Sequence, residues 1–368
     1  MSSQRRVGIL GATGTVGQRF ITLLASHPYF TIHALGASPR SVGRRYTEAV
    51  HWSQTAPCPE SVREMVVKPC EASVFADCDV IFSGLDSSVA GEIEEAFFEA
   101  NLPVLSNARN HRYTPTVPLV VPLVNADHLS LIPEQRKAKG LDKGFLLTNA
   151  NCSTTGLVVV LKALQQAFGT LAQVNVVTLQ AISGAGYPGC SALDMLDNVV
   201  PYISGEEEKM ERETGKILGS ICPEGQTIQE ATMPQVSATC TRVPVTDGHT
   251  EIVSIRFALD GGEGGRSEPP SVEEVKRALA SFRPAHFPTD PSQVPSAPKA
   301  AIEVLEEPDR PQPRLDRETG RGFSVSVGRI RPCSLFHIKL VLLSHNTVLG
   351  AAGSSVLNAE LAVSKGYL

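Results

Sequence analysis

Cysteine, net charge and long apolar runs are all scarce in this chain. Its eight cysteines are spread over 368 residues, too sparsely for a disulfide scaffold, and none forms a CxxC pair or another metal-binding spacing. The formal net charge of -5 gives no electrostatic basis for binding nucleic acid or an anionic membrane. No stretch is long and apolar enough to cross a bilayer, and the first residues lack a cleavage signal. We therefore expect a cytoplasmic protein with reduced thiols, no metal, and no nucleic-acid or membrane partner.

Apolar residues are abundant enough to build two domains. Hydrophobic residues make up 42% of the chain, and 368 residues exceed the usual length of one domain. In residues 1–150, short β-rich runs, among them 119–121, alternate with helical stretches, which predicts a parallel, doubly wound sheet. In residues 151–345, long strands predict a mostly antiparallel sheet with helices on one side. The helical pattern of residues 346–368 is expected to return to the first domain.

A glycine-rich turn lies between the first predicted strand and the helix that follows it. Gly8, Gly11, Gly14 and Gly17 occur there, in VGILGATGTVGQRF. Glycine permits a tight turn and the close approach of a pyrophosphate, which the free N–H groups at the start of the helix would bind. A plain tight turn would need the same residues, but the flanking strand and helix meet the condition for a dinucleotide site. The candidate cofactor contacts in this turn are Gly11, Thr13, Gly14, Thr15 and Val16.

The loop after the second predicted strand indicates which dinucleotide binds. An NAD site usually has an acidic residue there, whereas this chain has Gly-Ala-Ser-Pro-Arg-Ser over residues 36–41. Hydroxyl groups and a cation suit a 2′-phosphate. We therefore predict NADP(H) as the cofactor, with Ser38, Arg40 and Ser41 as contacts. The alternative is that Arg40 is an ordinary solvated side chain.

Cys152 differs from the other seven cysteines in its surroundings. It lies in NANCSTTG, where a predicted strand meets an amphipathic helix. The start of a helix stabilises a thiolate, so Cys152 is the candidate nucleophile, although a cysteine is also often a small buried apolar residue. A nucleophile needs a base, and His249 in RVPVTDGHTE is the best candidate among nine histidines. Their spacing in the sequence does not by itself prove that they pair.

Six blocks in the chain resemble those of the aspartate-semialdehyde dehydrogenase family, in the family's order: GATGTVG, ASPRS, NANCST, QAISGAG, GEEEKMERET and RVPVTDGH. The likeness runs almost end to end and is closest to the branch found in archaea and fungi. It implies an α/β fold, with a Rossmann dinucleotide-binding domain over 1–150 and 346–368. A GAPDH-like α+β catalytic and oligomerisation domain would cover 151–345.

The same resemblance implies an activity. The family reduces aspartyl-4-phosphate to aspartate-4-semialdehyde with NADPH, releasing phosphate. The reaction would pass through a thioester on Cys152, with His249 as the acid and base. It belongs to the biosynthesis of the aspartate-family amino acids threonine, methionine and isoleucine, and of lysine in some lineages.

Further residues match positions with a role in the family. Gln180 would orient the acyl intermediate, although a polar residue at a strand end needs no such role. Arg242 would clamp the substrate α-carboxylate, for which its forked guanidinium is suited. Arg112 would hold the phosphate group, but Arg109 is near enough to exchange with it. Asn107 is a further candidate contact for phosphate.

A charged pair and three residues near the nicotinamide complete the predicted site. Glu206 and Lys209 are three residues apart, so a helix places them on one face, where they would bind the substrate amine and phosphate. They could equally form an ordinary exposed ion pair, and the register within residues 206–208 stays open. Ser183, Gly184 and Asn346 resemble the family's cofactor contacts near the nicotinamide.

Two other kinds of protein remain as alternatives. One is another acyl-phosphate or aldehyde dehydrogenase of the same architecture, such as N-acetyl-glutamyl-phosphate reductase or glyceraldehyde-3-phosphate dehydrogenase. Arg242, seven residues before His249, favours instead a substrate with an amino-acid head. The other is a non-catalytic NADP-binding sensor, which would not need Cys152, His249 and Arg242 together. We expect a homodimer or a homotetramer, and the surface insertions predicted at 261–270 and 288–322 leave the choice open.

Overall fold

The computed structural model describes residues 4–259 and 266–368, and two sheets with their flanking helices account for most of them. The elements of the N-terminal part are β1 (Arg5–Leu10), α1 (Thr15–Leu24), β2 (Phe30–Gly36), α2 (Tyr46–Ala49), α3 (Glu60–Arg63), β3 (Val80–Ser83), α4 (Ser87–Glu99), β4 (Pro103–Ser106), α5 (Ile132–Lys139) and β5 (Phe145–Thr148). The remaining elements are α6 (Cys152–Phe168), β6 (Leu171–Gln180), α7 (Ala192–Met195), α8 (Glu206–Ile217), β7 (Ser220–Ile221), β8 (Ile228–Gln229), β9 (Gln235–Arg242), β10 (His249–Phe257), α9 (Val272–Ser281), β11 (Ile302–Val304), α10 (Pro313–Asp316), β12 (Val325–Pro332), β13 (Ile338–Ser344) and α11 (Gly353–Ser364).

The N-terminal sheet is parallel throughout, in the order β2-β1-β3-β4-β5. Strands β3, β4 and β5 are buried along their whole length, which is why each is a short and mostly apolar run in the sequence. The predicted parallel, doubly wound sheet is therefore confirmed. The strand predicted at 119–121 is wrong, because Leu119 makes only an isolated bridge to Thr148.

The second sheet has six strands in the order β11-β12-β13-β10-β6-β9. Its central pairs, β12 with β13, β13 with β10 and β10 with β6, are antiparallel, as predicted. Its edge pairs, β11 with β12 and β6 with β9, are parallel. The apolar helix α6 packs against β6, β10 and β13 and covers one face of this sheet.

Strand register brings three predicted site residues to one end of the second sheet. Gln180 ends β6 and pairs with Arg242, which ends the parallel strand β9. His249 begins β10, which runs antiparallel to β6, with Thr250 paired to Leu179. The first turn of α6 starts only four residues after the end of β5, so Cys152 lies near the carboxyl ends of the parallel strands.

The C-terminal segment packs against the N-terminal half of the chain. Helix α11 contacts α1 and β4, and it is buried along nearly its full length. Part of the predicted insertion 288–322 forms the edge strand β11 (Ile302–Val304), and the N–H of Ser296 in that insertion donates to Glu360 of α11. Residues 261–265 of the other predicted insertion, 261–270, lie outside the described residues. The domain limits at residues 150 and 345 stay a prediction.

Candidate active site

A cleft of about 1210 Å³ opens between the carboxyl ends of the parallel strands and the start of α6. It is lined by most of the residues that the sequence singled out. They are Gly11, Thr13, Gly14, Thr15, Val16, Ser38, Asn107, Arg112, Cys152, Gln180, Ser183, Gly184, Glu206, Lys209, Arg242 and Asn346. Arg40, Ser41 and His249 are not part of the lining. His249 lies directly behind the lining and contacts Cys152, whereas Arg40 and Ser41 continue the loop that holds Ser38.

The glycine turn at the cleft fits a bound pyrophosphate. Gly11 has a φ of 72°, and a Cβ there would lie 2.6 Å from the carbonyl oxygen of Gly84. A Cβ on Gly17 would lie 2.6 Å from Cα of Ala12, so glycine lets α1 pack directly on the turn. Helix α1 begins after Gly14 with no side chain among the described residues capping its N-terminus. Its first N–H groups are therefore available to an anion.

The loop after β2 presents the groups that were predicted to bind a 2′-phosphate. Ser38 lines the cleft, and the carbonyl of Ser38 accepts the N–H of Ser41 at 2.9 Å. Ser41 is itself buried, and its contact with the cofactor stays a prediction. The side chain of Arg40 is exposed beside the cleft, free to turn toward a phosphate.

Cys152 is the first residue of α6, where Asn151 caps the helix. The side-chain oxygen of Asn151 accepts the N–H groups of Ser153 at 3.0 Å and Thr154 at 3.2 Å. The Sγ atom of Cys152 lies 3.1 Å from Nε2 of His249. The fold thus brings together a thiol and an imidazole that are 97 residues apart in the chain.

The imidazole of His249 is held by the backbone. Its Nδ1 atom accepts the N–H of Ala181 at 3.0 Å, so a neutral ring has its proton on Nε2, facing the sulfur. Burial, with a contribution from Arg242, lowers the pKa of His249 to about 3. The ring is therefore neutral at ordinary pH and donates a hydrogen bond toward Cys152.

Burial also decides the resting state of the thiol. It raises the pKa of Cys152 to about 12, and the charge of Glu206 acts in the same direction, while Arg242, Arg112 and Lys209 oppose it. The start of α6 was predicted to stabilise a thiolate, whereas the loss of hydration on burial acts in the opposite direction and raises the pKa of Cys152. The resting pair is a thiol beside a neutral imidazole.

The carboxylate of Glu206 accepts hydrogen bonds from three other polar side chains. Its Oε1 accepts Nζ of Lys209 at 2.6 Å, and its Oε2 accepts Nδ2 of Asn151 at 2.7 Å and Nε2 of Gln180 at 3.4 Å. Although burial alone would raise its pKa, Lys209 and these hydrogen bonds lower the pKa of Glu206 below its ordinary value. A carboxylate is thus maintained beside the nucleophile, and its pair with Lys209 lies in the cleft wall with Glu206 buried and Lys209 half-buried, so it is not an exposed surface pair.

Two arginines extend into the cleft from different parts of the fold. Nη1 of Arg242 donates to the carbonyl of Ala181 at 2.7 Å, next to the hydrogen bond that orients His249. Nη1 of Arg112 donates to Oε1 of Glu213 at 2.8 Å, and its Nη2 donates to the carbonyl of Asn107 at 2.9 Å. Arg112 is buried, whereas Arg109, the alternative from the sequence, lines the cleft as an exposed side chain.

Asn346 connects the loops on either side of the catalytic pair. Its Nδ2 donates to Oγ of Ser183 at 2.8 Å, and its Oδ1 accepts the N–H of Gly248 at 2.9 Å. Gly350, four residues later, packs so closely that a Cβ would lie 2.9 Å from Cβ of Cys152. The C-terminal segment therefore supports the nucleophile and the loop before His249.

Sequence reasoning missed two buried residues of this site, Glu213 and Lys216. Oε2 of Glu213 accepts the N–H of Asn151 at 2.6 Å, and Nζ of Lys216 donates to the carbonyl of Arg112 at 2.7 Å. The signal was present in the sequence. The Glu-x-x-Lys spacing of Glu206 and Lys209 recurs seven residues later in α8, which places all four side chains along one side of the helix.

Within residues 4–259 and 266–368, no group of three or more His, Cys, Asp or Glu side chains is placed to hold a metal ion. No helix in that part of the chain is long and apolar enough to span a membrane.

A parallel sheet with a glycine turn at its carboxyl end, beside a cysteine–histidine pair at the cleft wall, defines a dinucleotide-dependent dehydrogenase that uses a cysteine nucleophile. Two family profiles match the chain: Semialdehyde dehydrogenase, NAD binding domain, over residues 6–132, and Semialdehyde dehydrogenase, dimerisation domain, over residues 161–349. The chain belongs to the aspartate-semialdehyde dehydrogenase family, as the sequence predicted.

Individual relatives cover nearly the whole chain. The aspartate-semialdehyde dehydrogenase of Cryptococcus neoformans is 58% identical over 369 residues, which is 99% of this chain and 98% of the relative. That of Archaeoglobus fulgidus is 47% identical over 357 residues, 97% of each chain. The crystal structure of the Candida albicans enzyme with NADP superimposes with a TM-score of 0.88 at 50% identity, covering 100% of both chains.

Proposed function

We propose that this chain reduces aspartyl-4-phosphate to aspartate-4-semialdehyde with NADPH and releases phosphate, a step in the biosynthesis of the aspartate-family amino acids. The observation that carries the proposal is the 3.1 Å contact between Sγ of Cys152 and Nε2 of His249, at the wall of a cleft that also contains the glycine turn. Such a pair can form and release a thioester, the acyl-enzyme that reduction by a hydride requires.

The cofactor would lie along the cleft from the glycine turn to the nucleophile. The turn residues at Gly11–Val16 would hold the pyrophosphate, with Ser38 and Arg40 at the 2′-phosphate. Ser183, Gly184 and Asn346 would contact the nicotinamide end, because they line the cleft beside Cys152. When bound, NADPH supplies the hydride that reduces the thioester.

Cys152 would act as the nucleophile and His249 as the group that stabilises negative charge around it. The thiol must lose its proton before or during attack, since the resting pair is neutral. Because Nε2 of His249 already carries a proton, the thiol proton would pass to solvent or to an oxygen of the substrate's phosphate group. The Nε2–H of His249 then stabilises the thiolate, and after attack it can donate to the oxygen anion of the tetrahedral intermediate. Collapse of that intermediate expels phosphate and leaves the acyl group on Sγ.

Four cleft residues would position the two ends of the substrate. Arg242 would bind the α-carboxylate, and Glu206 the amino group, to which it presents a buried carboxylate. Arg112 and Lys209 would bind the phosphate. Gln180, held against Glu206, would orient the acyl group, with Asn107 as a further polar contact near Arg112.

We further propose that the chain works in the cytoplasm as a homodimer or a homotetramer. A match to a dimerisation domain over residues 161–349 supports assembly. All eight cysteines are free thiols, which suits a reducing compartment.

The test is phosphate-dependent reduction of NADP, followed by absorbance, with aspartate semialdehyde as substrate. Glyceraldehyde-3-phosphate and N-acetyl-glutamate semialdehyde serve as parallel substrates. Turnover with aspartate semialdehyde alone, lost in Cys152→Ala, is the expected result. Turnover only with another aldehyde would reassign the substrate and overturn the roles of Arg242 and Glu206. NADP binding without turnover of any aldehyde would favour a non-catalytic sensor.

A further inference from the structure

Four of the charged side chains of α8 lie on one side of the helix, at spacings of three and four residues: Glu206, Lys209, Glu213 and Lys216. The first two line the cleft, whereas Glu213 and Lys216 lie behind its wall and are buried. Charged groups are rarely buried unless a partner compensates the lost hydration. The partners of Glu213 and Lys216 therefore indicate what this second pair does.

Glu213 joins two parts of the catalytic site with one carboxylate. Its Oε1 accepts Nη1 of Arg112 at 2.8 Å, and its Oε2 accepts the N–H of Asn151 at 2.6 Å. Asn151 is the residue immediately before the nucleophile and caps its helix. Glu213 has no exposed surface, so it cannot contact a substrate in the cleft and must act through these neighbours.

Lys216 holds the backbone of the same arginine. Its Nζ donates to three carbonyl oxygens, those of Arg112 at 2.7 Å, Thr114 at 2.9 Å and Val117 at 3.0 Å. The ammonium group has three protons, so these bonds satisfy all of its donors. Helix α8 thus fixes Arg112 twice, through its guanidinium and through the turn that carries it.

We propose that Glu213 is a positioning residue that sets the distance between the phosphate-binding guanidinium of Arg112 and the nucleophile Cys152. The inference rests on the proposed function, in which Arg112 binds the phosphate that leaves or attacks at the acyl carbon. In the tetrahedral intermediate, the sulfur and a phosphate oxygen are both bonded to that carbon, so the phosphate must be held at a fixed distance from Cys152. A shift of Arg112 relative to α6 therefore weakens phosphate binding in the geometry that reacts. Lys216 supports the same arrangement from the backbone side.

Only a carboxylate can satisfy both donors. The two oxygens of Glu213 each accept one N–H, from Arg112 and from Asn151. In Glu213→Gln, the amide NH₂ replaces one acceptor, so one of these buried donors faces another donor. Glu213→Asp keeps two acceptors and the charge, but its shorter side chain cannot reach both partners at the observed distances.

The experiment measures the KM for phosphate, aspartate semialdehyde and NADP, together with kcat, in wild type and Glu213→Gln. We expect the KM for phosphate to rise about tenfold to a hundredfold, the loss of one charge-assisted hydrogen bond, while the KM for NADP stays unchanged. Glu211→Gln is the matched control. Glu211 lies on the exposed side of the same helix and accepts a backbone N–H, that of Ala238, which glutamine can still do.

A double-mutant cycle distinguishes positioning from general support of the fold. In an Arg112→Gln background, Glu213→Gln should add little to the KM for phosphate, because the residue through which it acts is gone. Additive effects, or an unchanged KM for phosphate in Glu213→Gln, would overturn the inference. If Glu213→Gln does not fold, Glu213→Asp takes its place with the same expectations. Absence of turnover in the wild type would instead count against the proposed function.

Discussion

The reactivity of Cys152 should depend steeply on pH when no substrate is bound. Burial raises the pKa of its thiol to about 12 from an ordinary value of 9.0, so the thiolate is about a thousandfold rarer at a given pH than in an exposed cysteine. Because alkylating reagents attack the thiolate, the rate should rise about tenfold for each pH unit between about pH 6 and about pH 9. No plateau is expected in that range.

The assay is iodoacetamide labelling followed by mass spectrometry of the peptide that contains Cys152. Site-specific detection is needed because other thiols compete, among them the exposed Cys190. The charge of Glu206 also raises the pKa of Cys152, so Glu206→Gln should speed labelling at every pH, whereas the exposed change Glu211→Gln should not. A plateau near neutral pH in the wild type would refute the reasoning, since it would mean that α6 and the nearby cations stabilise the thiolate more than burial destabilises it.

Three further predictions concern stability and cofactor choice. Gly17→Ala should lower the melting temperature, because overlap with Ala12 costs about 1–3 kcal/mol and exceeds the roughly 1 kcal/mol that alanine gains in a helix. Gly14→Ala, whose Cβ would be 3.4 Å from its nearest neighbour, should change it little, and equal effects would contradict this account. Glu251 is buried with neither oxygen bonded to a described residue, and burial raises its pKa well above 4.5. The native state therefore holds that proton more tightly than the unfolded state, so the free energy of unfolding of the wild type falls as pH rises above 4.5. Glu251→Gln should therefore gain in free energy of unfolding relative to wild type between about pH 5 and about pH 8. If denaturant titrations find the same difference between the two proteins at every pH, this prediction is excluded. Arg40→Ala should raise the KM for NADPH about tenfold and leave that for NADH unchanged, whereas equal changes would show that Arg40 does not contact the 2′-phosphate.

Much of the fold was predictable because its signals are local. Short, mostly apolar runs at 80–83, 103–106 and 145–148 predict three buried strands, and β3, β4 and β5 are found there. The segment at 119–121 has the same apolar pattern but only bridges to Thr148, because burial alone does not distinguish a strand from a buried loop. The edge strand β9 was not predicted, because its first half is largely exposed and lacks a continuous apolar run.

The parts of the site that a local motif marks could be predicted from the sequence. The parts that depend on contacts between residues far apart in the chain could not. The glycine turn and the cysteine at a helix start can be recognised from the sequence around them. The protonation of the pair could not be, because it depends on burial and on the N–H of Ala181, which lies 68 residues from His249. The repeated Glu-x-x-Lys spacing of α8 marks Glu213 as a candidate, but its role depends on Arg112, which is 101 residues away.

The most direct test of the central claim is to isolate the acyl-enzyme. Protein mixed with aspartate semialdehyde and NADP but no phosphate should release one equivalent of NADPH per active site and then stop, because nothing removes the acyl group from the sulfur. Intact-mass and peptide analysis should find the added aspartyl group on Cys152, and added phosphate should remove it. NADPH release without an acyl group on Cys152, or steady turnover without phosphate, would contradict the account.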